Sequence, residues 1–118
     1  MIEIKKVQTF KDEFEQQYPE IAKEFKKIQE EQYDLCACKM LSYGKGNISM
    51  GSNLETEEEV KLSLTSIWIR MSDKMNRLKQ LVLLGKTNPL KDESSEDAWI
   101  DLSNYSIIAL IVKRNKWK

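Results

Sequence analysis

The chain has 118 residues, enough for one domain, and its 19 Lys and Arg balance its 19 Asp and Glu, so the formal net charge is zero. With 41% hydrophobic and 32% charged residues the composition is that of a folded globular protein. Zero net charge argues against a uniformly basic nucleic-acid-binding protein and leaves a local basic face open. The chain has no histidine, which excludes Ser-His-Asp and Cys-His catalysis and histidine zinc sites.

Strong helix formers dominate, and only 4 Gly and 2 Pro interrupt them. We therefore predict an all-α fold, a bundle of about four helices that forms a single domain over residues 1–118. Two stretches rich in turn residues, a Gly-rich one at residues 43–59 and another at residues 85–94, predict loops. These loops divide the chain into three helical blocks.

The first block covers about residues 9–41. Thr9 followed by Asp12 resembles a helix start, and Pro19 is expected to split the block because proline disfavours helix in the residue before it. A stripe of apolar residues along the second half of this block is expected to be buried, namely Ile21, Phe25, Ile28, Leu35 and Met40.

The two cysteines, Cys36 and Cys38, are separated by one residue, so a disulfide between them would be strained. We expect them reduced and buried, as in a cytoplasmic protein; half of a zinc site is the alternative, but no second Cys or His pair completes it. No signal peptide is visible, and the longest apolar run, near residues 107–112, is far shorter than the roughly 20 residues of a membrane span.

The second block covers about residues 57–84, and its apolar residues recur at helical spacing: Leu64, Ile67, Met71, Met75 and Leu78. On another face Arg70, Asp73, Lys74 and Arg77 follow the spacing i, i+3, i+4 and i+7. This stripe is either a solvated surface with weak ion pairs or a set of cations that hold phosphate. In the second case Asp73 orients the cations or joins a metal shell.

The third block covers about residues 94–113, with Ser94 or Ser95 as its cap, and its apolar half, Tyr105 to Val112, is expected at the centre of the bundle. Asp97, Asp101 and Tyr105 share one face, with Asn104 beside them.

Glu93, Asp97 and Asp101 are spaced one helical turn apart, as the hard oxygen ligands of Mg²⁺ can be. The alternative is that Glu93 and Asp97 only complement the helix dipole. Asp101 lies deeper among apolar neighbours, so its charge needs a partner, either a metal ion or a cation from Arg70, Lys74 or Arg77.

At the end of the first block, Gly44 is expected to cap the helix, and Lys39 complements the helix dipole or contacts a phosphate. Tyr43 then stacks on a base or ribose. Upstream, Glu30, Glu31 and Asp34 form either a wet helix surface or a degenerate two-carboxylate metal motif.

Three segments follow one another along the chain. The first is a Lys-x-x-x-Tyr-Gly motif at residues 39–44, and the second is the run Ile-Arg-Met-Ser-Asp-Lys-Met-Asn-Arg-Leu at residues 69–78. The third is an acidic segment at residues 92–105, which contains Asp97 and Asp101 and ends in Asn-Tyr. Together they resemble the nucleotide modification associated domain family of small, often phage-encoded proteins. That family is similar to the MazG-like and dimeric dUTPase group of all-α nucleoside triphosphate pyrophosphohydrolases.

The resemblance implies a bundle, usually a homo-oligomer, that handles nucleotides with Mg²⁺. On that model the metal ligands are Glu93, Asp97 and Asp101, the phosphate cations are Arg70, Lys74 and Arg77, and Asn104 and Tyr105 lie next to the base or sugar. The leading hypothesis is a nucleotide-binding protein of the MazG-like class, with Mg²⁺-dependent (d)NTP pyrophosphohydrolase activity as its catalytic form. Because the metal motifs depart from that group, a non-catalytic phage protein that sequesters a nucleotide immune signal is the alternative, and a structural interaction protein is the second alternative.

Overall fold

A computed structural model describes the backbone of residues 2–90 and 94–118, with side chains from residue 9 onward. The elements are α1 (Ile2–Gln17), α2 (Pro19–Tyr43), α3 (Gly46–Ser49), α4 (Glu57–Leu78), a π-helical turn that continues α4 (Lys79–Leu83), and α5 (Ser95–Lys113). These residues contain no strand. The all-α prediction is confirmed, and the short α3 is an addition inside the Gly-rich loop.

The helix boundaries follow local sequence signals closely. Pro19 is the first residue of α2, as the predicted split requires, and α4 begins at Glu57 after Thr56, whose side chain accepts a hydrogen bond from the Glu59 amide. The predicted start at Thr9 is wrong, because α1 already begins at Ile2 and no Gly or Pro lies between the two positions to end a helix.

Chain contacts divide the molecule into two compact units, an N-terminal unit (Met1–Ala37) and a C-terminal unit (Cys38–Lys118). Within the N-terminal unit Lys26 Nζ lies 2.8 Å from a carboxylate oxygen of Glu15. The predicted burial of the α2 stripe is wrong here, since Ile21 and Phe25 are 58% and 60% exposed. The unit contains only α1 and most of α2, so it has little structure with which to cover that stripe.

The C-terminal unit has the hydrophobic core, where α4 packs along α5 and α3 packs on α4. The buried core side chains come from α3, the loop after it, α4 and α5: Ile48, Leu54, Ile67, Ile108 and Val112. The apolar half of α5 was expected to be central throughout. Ile108 and Val112 are in the core, but Ile107 and Leu110 are about half exposed, because only one side of α5 faces α4.

Polar contacts fix α3 against its neighbours. The buried Ser63 hydroxyl donates to the Ile48 carbonyl over 2.7 Å, and the Trp117 indole N–H donates to the Lys45 carbonyl over 3.0 Å. The loop between α2 and α4 is therefore anchored from both α4 and the residues after α5.

The end of α2 is set by Gly44, which has a φ of 73° and donates its amide to the Met40 carbonyl over 2.8 Å. This left-handed conformation favours glycine and confirms the predicted helix cap. Lys39 and Tyr43 consequently lie in the last turns of α2. Among the residues described, no helix has the length and apolar character required to cross a bilayer.

Candidate functional site

Three side chains from three helices of the C-terminal unit meet at Asp101 on α5. Lys39 Nζ, from the end of α2, lies 2.8 Å from Asp101 Oδ1, and Lys74 Nζ, from α4, lies 3.1 Å from Asp101 Oδ2. Asp101 is buried, with 9% of its surface exposed. We call Lys39, Lys74 and Asp101 the Asp101 triad.

Local sequence features explain why these side chains meet. Asp101 lies two turns after the Ser94 cap of α5, and Lys74 follows the buried Ile67 by two turns on α4, so both point into the α4–α5 contact. Lys39 is one turn before the cap at Gly44, where α2 ends. The three helices therefore deliver one charged group each to the same point.

The electrostatics favour the charged forms of Asp101 and Lys39. Burial alone would raise the pKa of Asp101, but the hydrogen bonds and charges of Lys39 and Lys74 together lower that pKa below its ordinary value. Burial likewise disfavours the charged form of Lys39, yet its hydrogen bond to Asp101 and the Asp101 charge outweigh this and raise the pKa of Lys39. By formal charge, two lysines and one aspartate give the triad one net positive charge.

Two tyrosines lie close enough to Lys39 to contribute to its raised pKa after the effects of burial and Asp101. Tyr105 packs against the core from α5, whereas Tyr43 is largely exposed at the end of α2. Asn104 is buried on α5, three residues beyond Asp101. An exposed ring beside a cationic group is an arrangement that can take a base and a phosphate together.

The remaining members of the predicted basic stripe point elsewhere. Arg70 Nη2 donates to the Asn47 carbonyl over 2.9 Å and to its side-chain oxygen over 3.2 Å, so it ties α4 to α3. Arg77 Nη2 donates to Asn88 Oδ1 over 3.2 Å, and Asp73 is exposed. Of the four side chains in the stripe, Lys74 is the one that reaches Asp101.

The predicted metal ligands Asp97 and Asp101 make contacts that differ from those of metal-binding carboxylates. Asp97 forms a capping box, in which its Oδ2 accepts from the Ser94 amide over 3.0 Å and its own amide donates to the Ser94 hydroxyl over 3.2 Å. Both oxygens of Asp101 face ammonium groups, and two cations repel a third. Glu93 lies outside the described residues, and those residues include no group of three Cys, Asp or Glu side chains that could hold a metal ion. As placed, Asp97 and Asp101 do not fit Mg²⁺, and the magnesium site stays a prediction.

Sequence reasoning anticipated that Asp101 needs a cationic partner and named Lys74 among three candidates. It named Lys39 as a candidate phosphate contact but did not pair it with Asp101, which is 62 residues away in the chain. The available signal was the position of Lys39 one turn before a helix-ending glycine, but nothing in the sequence shows which helix end meets which helix face.

The triad can bind an anion. Each ammonium group has three N–H donors and uses one on Asp101, and the Lys39 and Lys74 side chains are 47% and 29% exposed. The shared carboxylate holds the two ammonium groups at a fixed separation, so their remaining donors are oriented before a ligand arrives. Phosphate oxygens suit such a pair of donors.

Residues 56–112, just under half of the chain, match the model of a family described as nucleotide modification associated domain 1. The matched segment spans α4 and α5 and supplies Lys74 and Asp101, whereas Lys39 precedes it. No curated protein and no solved structure matches the chain.

Proposed function

We propose that the chain binds a nucleotide and that the Asp101 triad is the phosphate-binding part of the site, because residues 56–112 match the model of the nucleotide modification associated domain 1 family. The observation that carries this proposal is the pair of ammonium groups held on the two oxygens of one buried carboxylate. A phosphate group placed against Lys39 and Lys74 gains two charge-assisted contacts without a large cost in side-chain ordering.

Nearby groups complete the proposed site. Tyr43 offers an exposed ring beside Lys39, on which a base or ribose can stack. Arg70, one turn before Lys74 on α4, donates to the carbonyl and the side-chain oxygen of Asn47, and its positive charge would add to the attraction for phosphate. Asn104 and Tyr105 would lie toward the sugar or base, as the family resemblance implies.

We propose binding without cleavage as the form of this function that the geometry favours. Pyrophosphohydrolase activity of the MazG-like kind needs carboxylates free to hold Mg²⁺, which neutralises phosphate and activates water. Asp101 is occupied by two lysines and Asp97 by its helix cap. A protein that binds a nucleotide without cleaving it, including one that sequesters a nucleotide signal, requires only the two ammonium groups of the triad and no metal ion.

The test is titration calorimetry with nucleoside mono-, di- and triphosphates, with and without Mg²⁺. Lys39→Gln removes one ammonium group and is expected to weaken the binding of the best ligand by about tenfold or more. Lys27→Gln, which removes an exposed lysine from the same helix, serves as the matched control and should leave affinity unchanged. Equal affinity in the two variants, or no binding by the parent chain, would refute the proposal.

The same samples separate binding from hydrolysis. Chromatography of the ligand recovered after heat denaturation should return intact nucleotide even after long incubation with Mg²⁺. Recovery of a monophosphate and pyrophosphate, abolished by a chelator, would show the MazG-like activity instead and would place the metal on groups beyond those described.

A further inference from the structure

A cavity of about 470 Å³ lies in the C-terminal unit, between the loop that contains α3 and the residues that follow α5. We call this space, lined by residues 45, 49, 52–55, 115, 117 and 118, the α3 cavity. Its volume falls within the range of roughly 300–1,000 Å³ that is common for small-molecule sites. No member of the Asp101 triad lines it, so a ligand in the α3 cavity would be held by different groups.

The Ser49 hydroxyl is an unpaired polar group in the wall of the α3 cavity. Ser49 is buried, with 5% of its surface exposed, and its hydroxyl has no hydrogen-bond partner among the residues that the structure describes. No side-chain nitrogen or oxygen of these residues is both fully enclosed and unpaired, so the hydroxyl reaches the cavity. Because a hydroxyl taken from water without a hydrogen bond costs free energy, a ligand that bonds to Ser49 recovers that cost.

The charged side chains that line the α3 cavity favour an anion. The Ser49 amide donates to the Lys45 carbonyl over 3.2 Å, so one helical turn places the side chains of Lys45 and Ser49 on the same face. Lys118 adds a second ammonium group to the lining, which has one carboxylate, that of Glu55, and therefore a net positive charge. A carboxylate or phosphate group can accept hydrogen bonds from the Ser49 hydroxyl and the Lys45 ammonium group together.

The indole ring of Trp117 gives the α3 cavity a flat wall. Its N–H donates to the Lys45 carbonyl over 3.0 Å, and the ring packs against the hydrophobic core. These two contacts hold the half-buried ring in one orientation while part of it lines the cavity. A fixed aromatic ring is a surface on which a planar ring of a ligand can stack.

The wall that carries Ser49 is fixed before a ligand binds. The Ser52 hydroxyl donates to the Ser49 carbonyl over 3.0 Å and accepts from the Leu54 amide over 3.1 Å. Leu54 has a φ of 55°, a left-handed conformation that leucine rarely adopts, and its side chain is buried in the core. Such a backbone persists where packing and hydrogen bonds enforce it, and it is frequent at ligand sites.

We propose that the α3 cavity binds a small planar aromatic ring that carries an anionic group, independently of the Asp101 triad. The ring stacks on Trp117, and the anionic group accepts hydrogen bonds from Ser49 and Lys45. Aromatic carboxylates and nucleotides share this chemistry and differ in the anionic group, so probes of both kinds distinguish the two sources of the ligand.

The experiment is a titration of the isotope-labelled full chain, in which NMR follows the assigned indole N–H signal of Trp117. The probes are indole-3-acetate, a ring with a carboxylate, and adenosine monophosphate, a ring with a phosphate. At least one of them should shift the Trp117 signal to saturation, and it should do so equally in the parent and in Lys39→Gln, which removes a triad cation. Cyclohexaneacetate, which has the carboxylate but no planar ring, should bind about tenfold more weakly than indole-3-acetate.

Two substitutions test the contacts to the anionic group. Ser49→Ala should weaken probe binding by about tenfold and leave the melting temperature unchanged or higher, because the hydroxyl has no partner in the free protein. Lys45→Gln keeps the carbonyl that accepts from Trp117 and should weaken binding by a similar factor. The matched controls are Ser106→Ala, at an exposed hydroxyl on α5, and Lys86→Gln, at an exposed lysine in another loop, and both should bind as the parent does.

The proposal is overturned if neither probe shifts the Trp117 signal, or if Ser49→Ala and Lys45→Gln bind as tightly as the parent. Loss of the signal change in Lys39→Gln would also overturn it, because the probe would then be bound at the Asp101 triad. Equal affinity for cyclohexaneacetate and indole-3-acetate would remove the stacking contact. A lower melting temperature of Ser49→Ala would show that the hydroxyl stabilises the fold and does not wait for a ligand.

Discussion

A carboxylate that is largely removed from water is stable in its charged form only when cations or donors replace the lost solvation. Asp101 meets this condition with Lys39 on one oxygen and Lys74 on the other. The arrangement also restrains two long, flexible lysine side chains. The same residue therefore contributes to the packing of α4 on α5 and to the geometry of the proposed phosphate site.

The stability of the folded chain should depend on pH through this residue. Burial alone would raise the pKa of Asp101, but Lys39 and Lys74 hold it below its ordinary value near 3.8. The unfolded chain therefore takes up this proton first as the pH falls. The stabilisation is complete above the ordinary value and is lost as the pH falls through the folded-state pKa.

We expect Asp101→Asn to lower the free energy of unfolding by about 1–2 kcal/mol at neutral pH, because two ammonium groups lose a charged acceptor while remaining partly solvated. Urea unfolding of parent and variant should show this difference shrinking in acid as Asp101 becomes protonated in the parent. Asp73→Asn, at an exposed aspartate on α4, should behave like the parent throughout. A difference that stays constant with pH would contradict the ionic account.

For a single residue, the sequence can predict that a buried charge requires a partner more readily than it can predict which residue that partner is. The apolar neighbours of Asp101 indicated that its charge required a partner, either a metal ion or a side-chain cation, and Lys74 was among the candidate cations. The contact with Lys39 depends on where α2 ends relative to α5, a long-range arrangement that no local spacing encodes. For the same reason, Arg70 and Arg77 share a stripe with Lys74 but extend to different amide partners.

At the scale of the helix, α5 starts with a reciprocal pair of hydrogen bonds between Ser94 and Asp97. The first amides of a helix have no partners within the helix, and this capping box satisfies two donors at once. It fixes where α5 begins and therefore where Asp101 lies two turns later. A change at the cap is transmitted to the site through the helix start.

Replacement of the cap tests this directly. Ser94→Ala should cost about 1 kcal/mol of stability because the Asp97 amide loses its acceptor. Ser95→Ala, one residue further and inside the helix, should change stability by less than about 0.5 kcal/mol. Thermal unfolding followed by circular dichroism measures both. Equal losses in the two variants would mean that the cap is not what positions α5.

Helix boundaries could be predicted where a local chemical signal exists. Pro19, the Gly44 cap and the Ser94 cap all act through hydrogen bonds or torsion angles of a few neighbouring residues, and all three predictions are confirmed. Burial is different, because it depends on what lies opposite a face. The apolar pattern around Phe25 was correctly read as one face of a helix, yet that face is exposed.

At the scale of the molecule, stability and proposed function are concentrated in the C-terminal unit. The buried hydrophobic cluster and all three members of the Asp101 triad belong to it. In the N-terminal unit, the described residues that are buried are Ala22 and Gln32, and both lie on α2 rather than on α1. The described side chains of α1, from residue 9 to residue 17, therefore add no buried residue to the core.

This asymmetry predicts that the chain tolerates loss of α1. A fragment of residues 19–118 should keep the urea midpoint of the full chain, because it retains α2 entire and every residue of the core. Ile67→Ala in the full chain, which removes three carbon atoms from a side chain that is 1% exposed, should cost about 2–5 kcal/mol. If the fragment were less stable than the Ile67→Ala variant of the full chain, α1 would have to supply stabilisation that the core does not. If the fragment stays folded and still binds nucleotide, the proposed site depends on the helices from α2 onward.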